Sequence, residues 1–209
     1  WPPLATATRS DAVDALFANA LTGPDQLRQR VIGALGEFIV VAMNKNTNGN
    51  EIVPWLQVLS RNAFGNYRTL LKEITLDASM GKYLDMANSG VMGGAANENY
   101  PREVMQLFSL GVSLLNIDSS VKTDGNGNPI PTYTQTDVQQ LAKAFTGWTY
   151  TNANGATGPG GNYNYYPGPM IPVPGRHDTS AKTVLGQPIP ANQTAQQDLD
   201  SAIDIIFNH

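Results

Sequence analysis

The chain has 209 residues, 41% of them hydrophobic and only 14% charged, a formal net charge of −4, and no cysteine. A chain of this length buries roughly 70% of the surface its unfolded form exposes, so it holds a core without disulfides or metal. Thiol catalysis and zinc–thiolate sites are excluded, the lack of any Lys/Arg run argues against a nucleic-acid partner, and no apolar run approaches the roughly 18 residues of a membrane span.

The first half reads as helices. Ser10 is placed to cap a segment whose face carries Val13, Leu16, Phe17 and Ala20, stopping at Thr22-Gly23-Pro24. Asp25 is placed to cap a longer helix with Leu27, Val31, Leu35, Phe38 and Ala42; its wide apolar arc predicts a central position. Residues 44–50 have loop composition. A third helix carries Trp55, Leu56 and Leu59, with Pro54 in its first turn. Another runs through 64–74, interrupted at Gly65. Asp77 caps a short helix holding Met80, Leu84 and Ala87. Residues 88–96 form a flexible connector.

The next stretch, Asn97 to Gly111, opens with a polar cluster and continues into a helical apolar stripe of Tyr100, Val104, Leu107 and Phe108. Glu98 and Arg102 have the i, i+4 spacing of a surface ion pair. Glu103 is different: it falls at the edge of the apolar arc beside Leu107, where an unpaired carboxylate is costly. Past Gly111, residues 116–133 read as a surface excursion or small hairpin. Within it Asp124, Asn126 and Asn128 have the alternate spacing that opens a calcium loop. Pro129 stands where that loop needs glycine and Gln135 where it needs glutamate, so the stretch reads as a turn.

Thr134 with Asp137 is a capping box for a helix with Val138, Leu141, Ala142 and Phe145, stopping at Gly147. Residues 151–193 show little periodicity and are rich in Gly, Asn, Pro and Tyr. Tyr163, Tyr165 and Tyr166 in this loop suit either a stacking platform or a loop anchor. Arg176, His177, Asp178 and Lys182 cluster just beyond them. Thr194 and Gln197 form a second capping box before Leu199, Ala202, Ile203 and Ile206. With two histidines in the chain a multi-histidine metal site is excluded, and no nucleophile elbow or phosphate-cradling glycine loop is present. Neither metal nor cofactor is expected. The fold class is all-α: an irregular multi-helix bundle in a single domain over 1–209, with a long Gly/Asn/Pro/Tyr-rich loop and loop insertions at 116–133 and 151–193. The lack of an initiator Met, and a helical pattern still running at His209, read as a piece of a longer protein.

Three ordered motifs, NENYPREVMQLFSLG (97–111), PTYTQTDVQQLAKAFTGWTY (131–150) and RHDTSAKTVLG (176–186), resemble a large bacterial family, domain of unknown function 1800. The resemblance extends from residue 27 to the terminal helix. The motif positions carried here are Asn97, Glu98, Asn99, Arg102, Glu103, Gly147, Trp148, His177 and Asp178. Many relatives have a His-containing stretch in the second helix; here Gly33 to Val41 contains none, so any role of those histidines is absent. The resemblance implies export, and a protein partner resembling the sulfatase-like domain of unknown function 1501 family. Two functions are expected. One is an exported helical binding or assembly module, with Asn97, Glu98, Asn99, Asp178 and Trp148 as binding residues. The other is a hydrolase-like enzyme using Glu103 and His177 as acid and base, with Arg102 holding an anionic group.

Overall fold

The computed structural model describes residues 1–4, 6–90, 95–151 and 165–209. Among the described residues, eight helices and two small antiparallel strand pairs make the fold mostly helical. Helix α1 (Arg9–Thr22) starts two residues earlier than its apolar pattern suggests. Thr8, rather than Ser10, is the cap, because Thr8 and Asp11 satisfy each other's backbone N–H groups reciprocally. Helix α2 (Gln26–Gly36) ends before Phe38 and buries only Gln29 and Ile32, so it is peripheral rather than central. Its Leu27 faces solvent. Asp25 does not cap it; the carboxylate instead accepts from the Gln29 side chain at 2.8 Å.

The central helix is α3 (Gly49–Asn62), which buries ten residues, among them Ile52, Trp55, Leu56 and Leu59. It begins early because the Gly49 N–H is captured by the Ala7 carbonyl at 3.1 Å. Pro54 therefore lies in the second turn, not the first. Helix α4 (Tyr67–Leu76) is capped by Asn66, and α5 (Ala78–Tyr83) by Asp77, whose side chain accepts the Met80 N–H.

Helix α6 (Asn99–Gln106) is short. The N–H groups of Leu107 and Phe108 both reach the Glu103 carbonyl, and those of Leu110 and Gly111 reach Met105. This wide final turn, with Gly111 in the left-handed region at φ 78°, breaks the 100° stripe. Phe108 consequently stays in the core while Leu107 turns out to solvent. Tyr100 packs between Phe108 and Phe145, and its hydroxyl meets Thr75 Oγ1 at 2.7 Å.

The excursion after α6 folds back on itself through isolated antiparallel bridges at 113/131, 115/121 and 123/129. Asp124 accepts the N–H groups of Asn126 and Asn128 at 2.8 and 2.9 Å, the turn its sequence implies. Helix α7 (Gln135–Ala144) and helix α8 (Ala195–Phe207) have the capping boxes expected of Thr134 and Thr194. Strand β1 (Trp148–Thr149) pairs with β2 (Ile171–Pro172). The stretch read as aperiodic also holds a hairpin, β3 (Lys182–Val184) with β4 (Gln187–Ile189). Leu185 and Gly186 turn it at φ 49° and 76°, the positive pair a tight two-residue turn requires. The period is hidden in sequence because the inward positions are Lys182 and Val184, and a lysine does not advertise a buried face. Tyr163 lies outside the described residues; Tyr166 is buried, edge-on to Tyr150.

Candidate functional site

The motif segments are joined by their backbone. Residues 88–90, 146–149 and 176–178 meet along one seam: the Gly147 N–H donates to the Ser89 carbonyl at 2.9 Å and the Asn88 N–H to the Trp148 carbonyl at 2.7 Å. Ser89 Oγ accepts the Asn97 N–H at 2.9 Å, tying in the start of α6. Gly147 is at φ 83°, and a Cβ there would lie 2.9 Å from the His177 backbone. Only glycine lets the two segments approach this closely.

Behind the seam His177 enters a buried polar network. Its Nε2 lies 2.9 Å from Asp198 Oδ2, and its Nδ1 lies 3.0 Å from the Thr146 carbonyl and 3.2 Å from Thr146 Oγ1. Lys182 Nζ donates to the same Asp198 oxygen at 2.7 Å, and to the carbonyls of Asp178 and Ser180 at 2.6 and 2.7 Å. Both the Lys182 and the Asp198 side chains are fully buried. A lysine and an aspartate removed from water are tolerated only when paired and hydrogen-bonded, and each is.

Threonine, histidine and aspartate in sequence resemble a nucleophile–base–orienter set, but the hydrogen-bond pattern opposes that use. The Thr146 hydroxyl donates to the Lys143 carbonyl at 2.7 Å and accepts the Asp178 N–H at 2.9 Å. Its proton is committed to a helix terminus, and the residue is only 3% exposed. The Nδ1 nitrogen faces a carbonyl, which can only accept, so it serves as a donor rather than a base toward Thr146. The network ties α7, β3, α8 and the His177 loop together.

Asp178 does not orient His177. Burial pushes the Asp178 carboxyl up, but it accepts from the Ser180 hydroxyl and, at 2.9 Å, from the Ser180 N–H, and with Lys182 Nζ 3.6 Å away these hold it below the usual range. Trp148 is buried in the core. Asn97 supplies the turn that starts α6, its Oδ1 accepting the Asn99 N–H at 2.8 Å; Glu98 makes no capping bond. Glu98 and Arg102 pair at 3.0 Å, and Gln135 bridges them from α7 at 2.7 and 3.1 Å. Asn99 approaches Asp85, which is held by Lys45.

Glu103 is half-buried and lines a cavity of about 320 Å³ with Val40, Tyr83, Asn99 and Phe108. Among the described residues no hydrogen bond reaches its carboxylate. His177 borders a different cavity, of about 420 Å³, between Val173 and Thr194. The two share no lining residue, so Glu103 and His177 are not brought together. Arg102 borders neither.

Sequence reading missed Asp198 and Thr146. Asp198 did leave a signal: it stands one turn from Ala195 and Ala202 on the buried face of α8, an acidic residue inside an apolar stripe.

A family model for proteins of unknown function, DUF1800, matches residues 4–209. The chain belongs to the DUF1800 family. No curated protein and no solved structure matches it. In this DUF1800 chain the motif residues Gly147 and His177 serve the seam and its network, while Asn97, Glu98 and Arg102 organise the entrance of α6. The family resemblance of the motifs thus extends over nearly the whole chain, and the motifs coincide with the places where distant segments touch.

Proposed function

We propose that this DUF1800 chain is an exported binding module acting with a partner protein. The observation that carries the reading is how the motif side chains are used. His177 is paired inside the fold and Asp178 caps a turn, while Glu98 and Arg102 satisfy each other. Large apolar side chains are meanwhile left outside. Phe17 and Leu21 are one turn apart on α1, Leu21 being 79% exposed, and Leu27 follows in the first turn of α2, also exposed. Two large apolar side chains exposed on one face of α1 favour a protein contact. A partner of the sulfatase-like 1501 family is the expected one. The hydrolase-like alternative needs Glu103, His177 and Arg102 around one cleft, and the separate cavities do not favour it.

The reading is tested by placing a photo-crosslinking amino acid at position 21, and at position 118 as a control, in the full-length protein expressed with that partner. A crosslink to the partner from position 21 and none from 118 supports the reading. Equal crosslinking from both, or none from either, overturns it.

A further inference from the structure

One cavity is lined by none of the motif residues. It occupies about 550 Å³ between α3, α4 and residues 166–169, the size of a small-molecule site. Pro54, Val58 and Leu76 give it an apolar wall, and Tyr166, Pro167 and Pro169 close the other side. Three cations face it: Arg61 from α3, and Arg68 and Lys72 from α4.

Each cation is held by an acid, through one contact. Arg61 Nε meets Glu73 at 2.5 Å, Arg68 Nε meets Asp204, and Lys72 Nζ meets Asp200 at 2.5 Å. Among the described residues the terminal guanidinium nitrogens of Arg61 and Arg68 make no hydrogen bond, so eight N–H donors stay available on two forks that are already oriented. Of the three partner acids only Glu73 borders the cavity; Asp200 and Asp204 belong to α8. The remaining acid on the wall, Asp77, is buried, and desolvation pushes its carboxyl up to about 7, which moderates its repulsion of a negative ligand. Unused donors outnumber unused acceptors, the arrangement complementary to a carboxylate or phosphate.

We propose that this cavity binds a small organic anion, its oxyanion head on the forks of Arg61 and Arg68 and its apolar body against Pro54, Val58 and Leu76. The pre-existing ion pairs hold the two arginines in place, which lowers the ordering cost of binding. This site is independent of the partner-binding reading and stands or falls separately.

The test is isothermal titration of the purified protein with hexanoate, phenyl phosphate, inorganic phosphate and hexanol. Hexanoate and phenyl phosphate separate the carboxylate and phosphate sources of the head; hexanol lacks the charge, and inorganic phosphate lacks the body. Saturable binding is expected for at least one of the two organic anions, at least about tenfold tighter than for hexanol or inorganic phosphate. Arg61→Met, at an exposed position, is expected to weaken it about tenfold or more. Thr69→Trp, from the exposed cavity rim on α4, is expected to block it without touching the core. Equal binding of hexanol, no saturable binding of either organic anion, or affinity unchanged in both variants overturns the proposal.

Discussion

Replacing Asp198 with asparagine is the most informative single perturbation of the fold. The carboxylate is fully buried, lies 2.9 Å from His177 Nε2 and accepts from Lys182 Nζ at 2.7 Å. Asparagine keeps the shape but leaves the Lys182 ammonium with two backbone carbonyls and, as its countercharge, only the partly exposed Asp178 carboxylate 3.6 Å away. Breaking a buried pair in this way costs about 3–5 kcal/mol. That is a large share of the roughly 5–15 kcal/mol by which a domain is stable. Lys182→Met removes the other partner, leaving a buried carboxylate that already has one oxygen, Oδ1, without a hydrogen bond among the described residues. It is expected to cost a similar amount. The double variant removes both charges at once, so its cost falls short of the sum by at least about 1 kcal/mol. Urea unfolding at pH 7, followed by far-UV circular dichroism on all four proteins, measures the cycle. Additive costs, or single variants each losing under about 1 kcal/mol, would refute the reasoning that this pair is dry and mutually dependent.

Gly147→Ala forces a side chain into a left-handed position and against the His177 backbone, so thermal melting should show a loss of at least about 1–3 kcal/mol from strain alone. Glu98→Gln breaks a pair in which both side chains are about a third exposed, and the same melt should register less than about 1 kcal/mol. Burial raises the Asp77 carboxyl to about 7 in the folded chain, against about 3.9 in a free chain. Between those values the folded state holds a proton that the unfolded state has lost, so stability is fully present below about pH 4 and falls as pH rises toward 7. About three units at 1.36 kcal/mol each give a loss of about 4 kcal/mol. Asp77→Asn should flatten that slope in urea unfolding between pH 5 and pH 8; an unchanged slope would show that another group titrates. The Asp124 turn already spends its carboxylate on backbone N–H groups, which hold its pKa below the ordinary value, and millimolar calcium should leave the melting temperature unchanged.

Local chemistry made the helix caps legible. Thr134, Thr194, Asp77 and their partners lie within four residues of the groups they satisfy, so spacing alone locates them. Where the cap competes with a tertiary contact, sequence reading fails: Gly49 is drawn into α3 by Ala7, some forty residues away. The apolar arc of α2 misleads because hydrophobicity counts apolar residues without knowing which are covered, and Leu27 is not. The candidate site was half legible. The RHD cluster marked His177 and its neighbour Lys182, but their shared partner Asp198 lies on another helix, and no local pattern connects the two. Glu103 looked anomalous because a straight helix places it beside Leu107; the wide turn that ends α6 moves Leu107 outward and leaves Glu103 at a cavity mouth.

The binding-module reading is tested most directly by titrating the full-length protein with the sulfatase-like protein proposed as its partner, comparing the native sequence with Leu21→Lys. The account predicts a saturable complex in the native case and affinity at least about tenfold weaker in the variant, with unfolding curves of the two proteins superimposed. No complex with the native protein, or equal affinity for both, would contradict it.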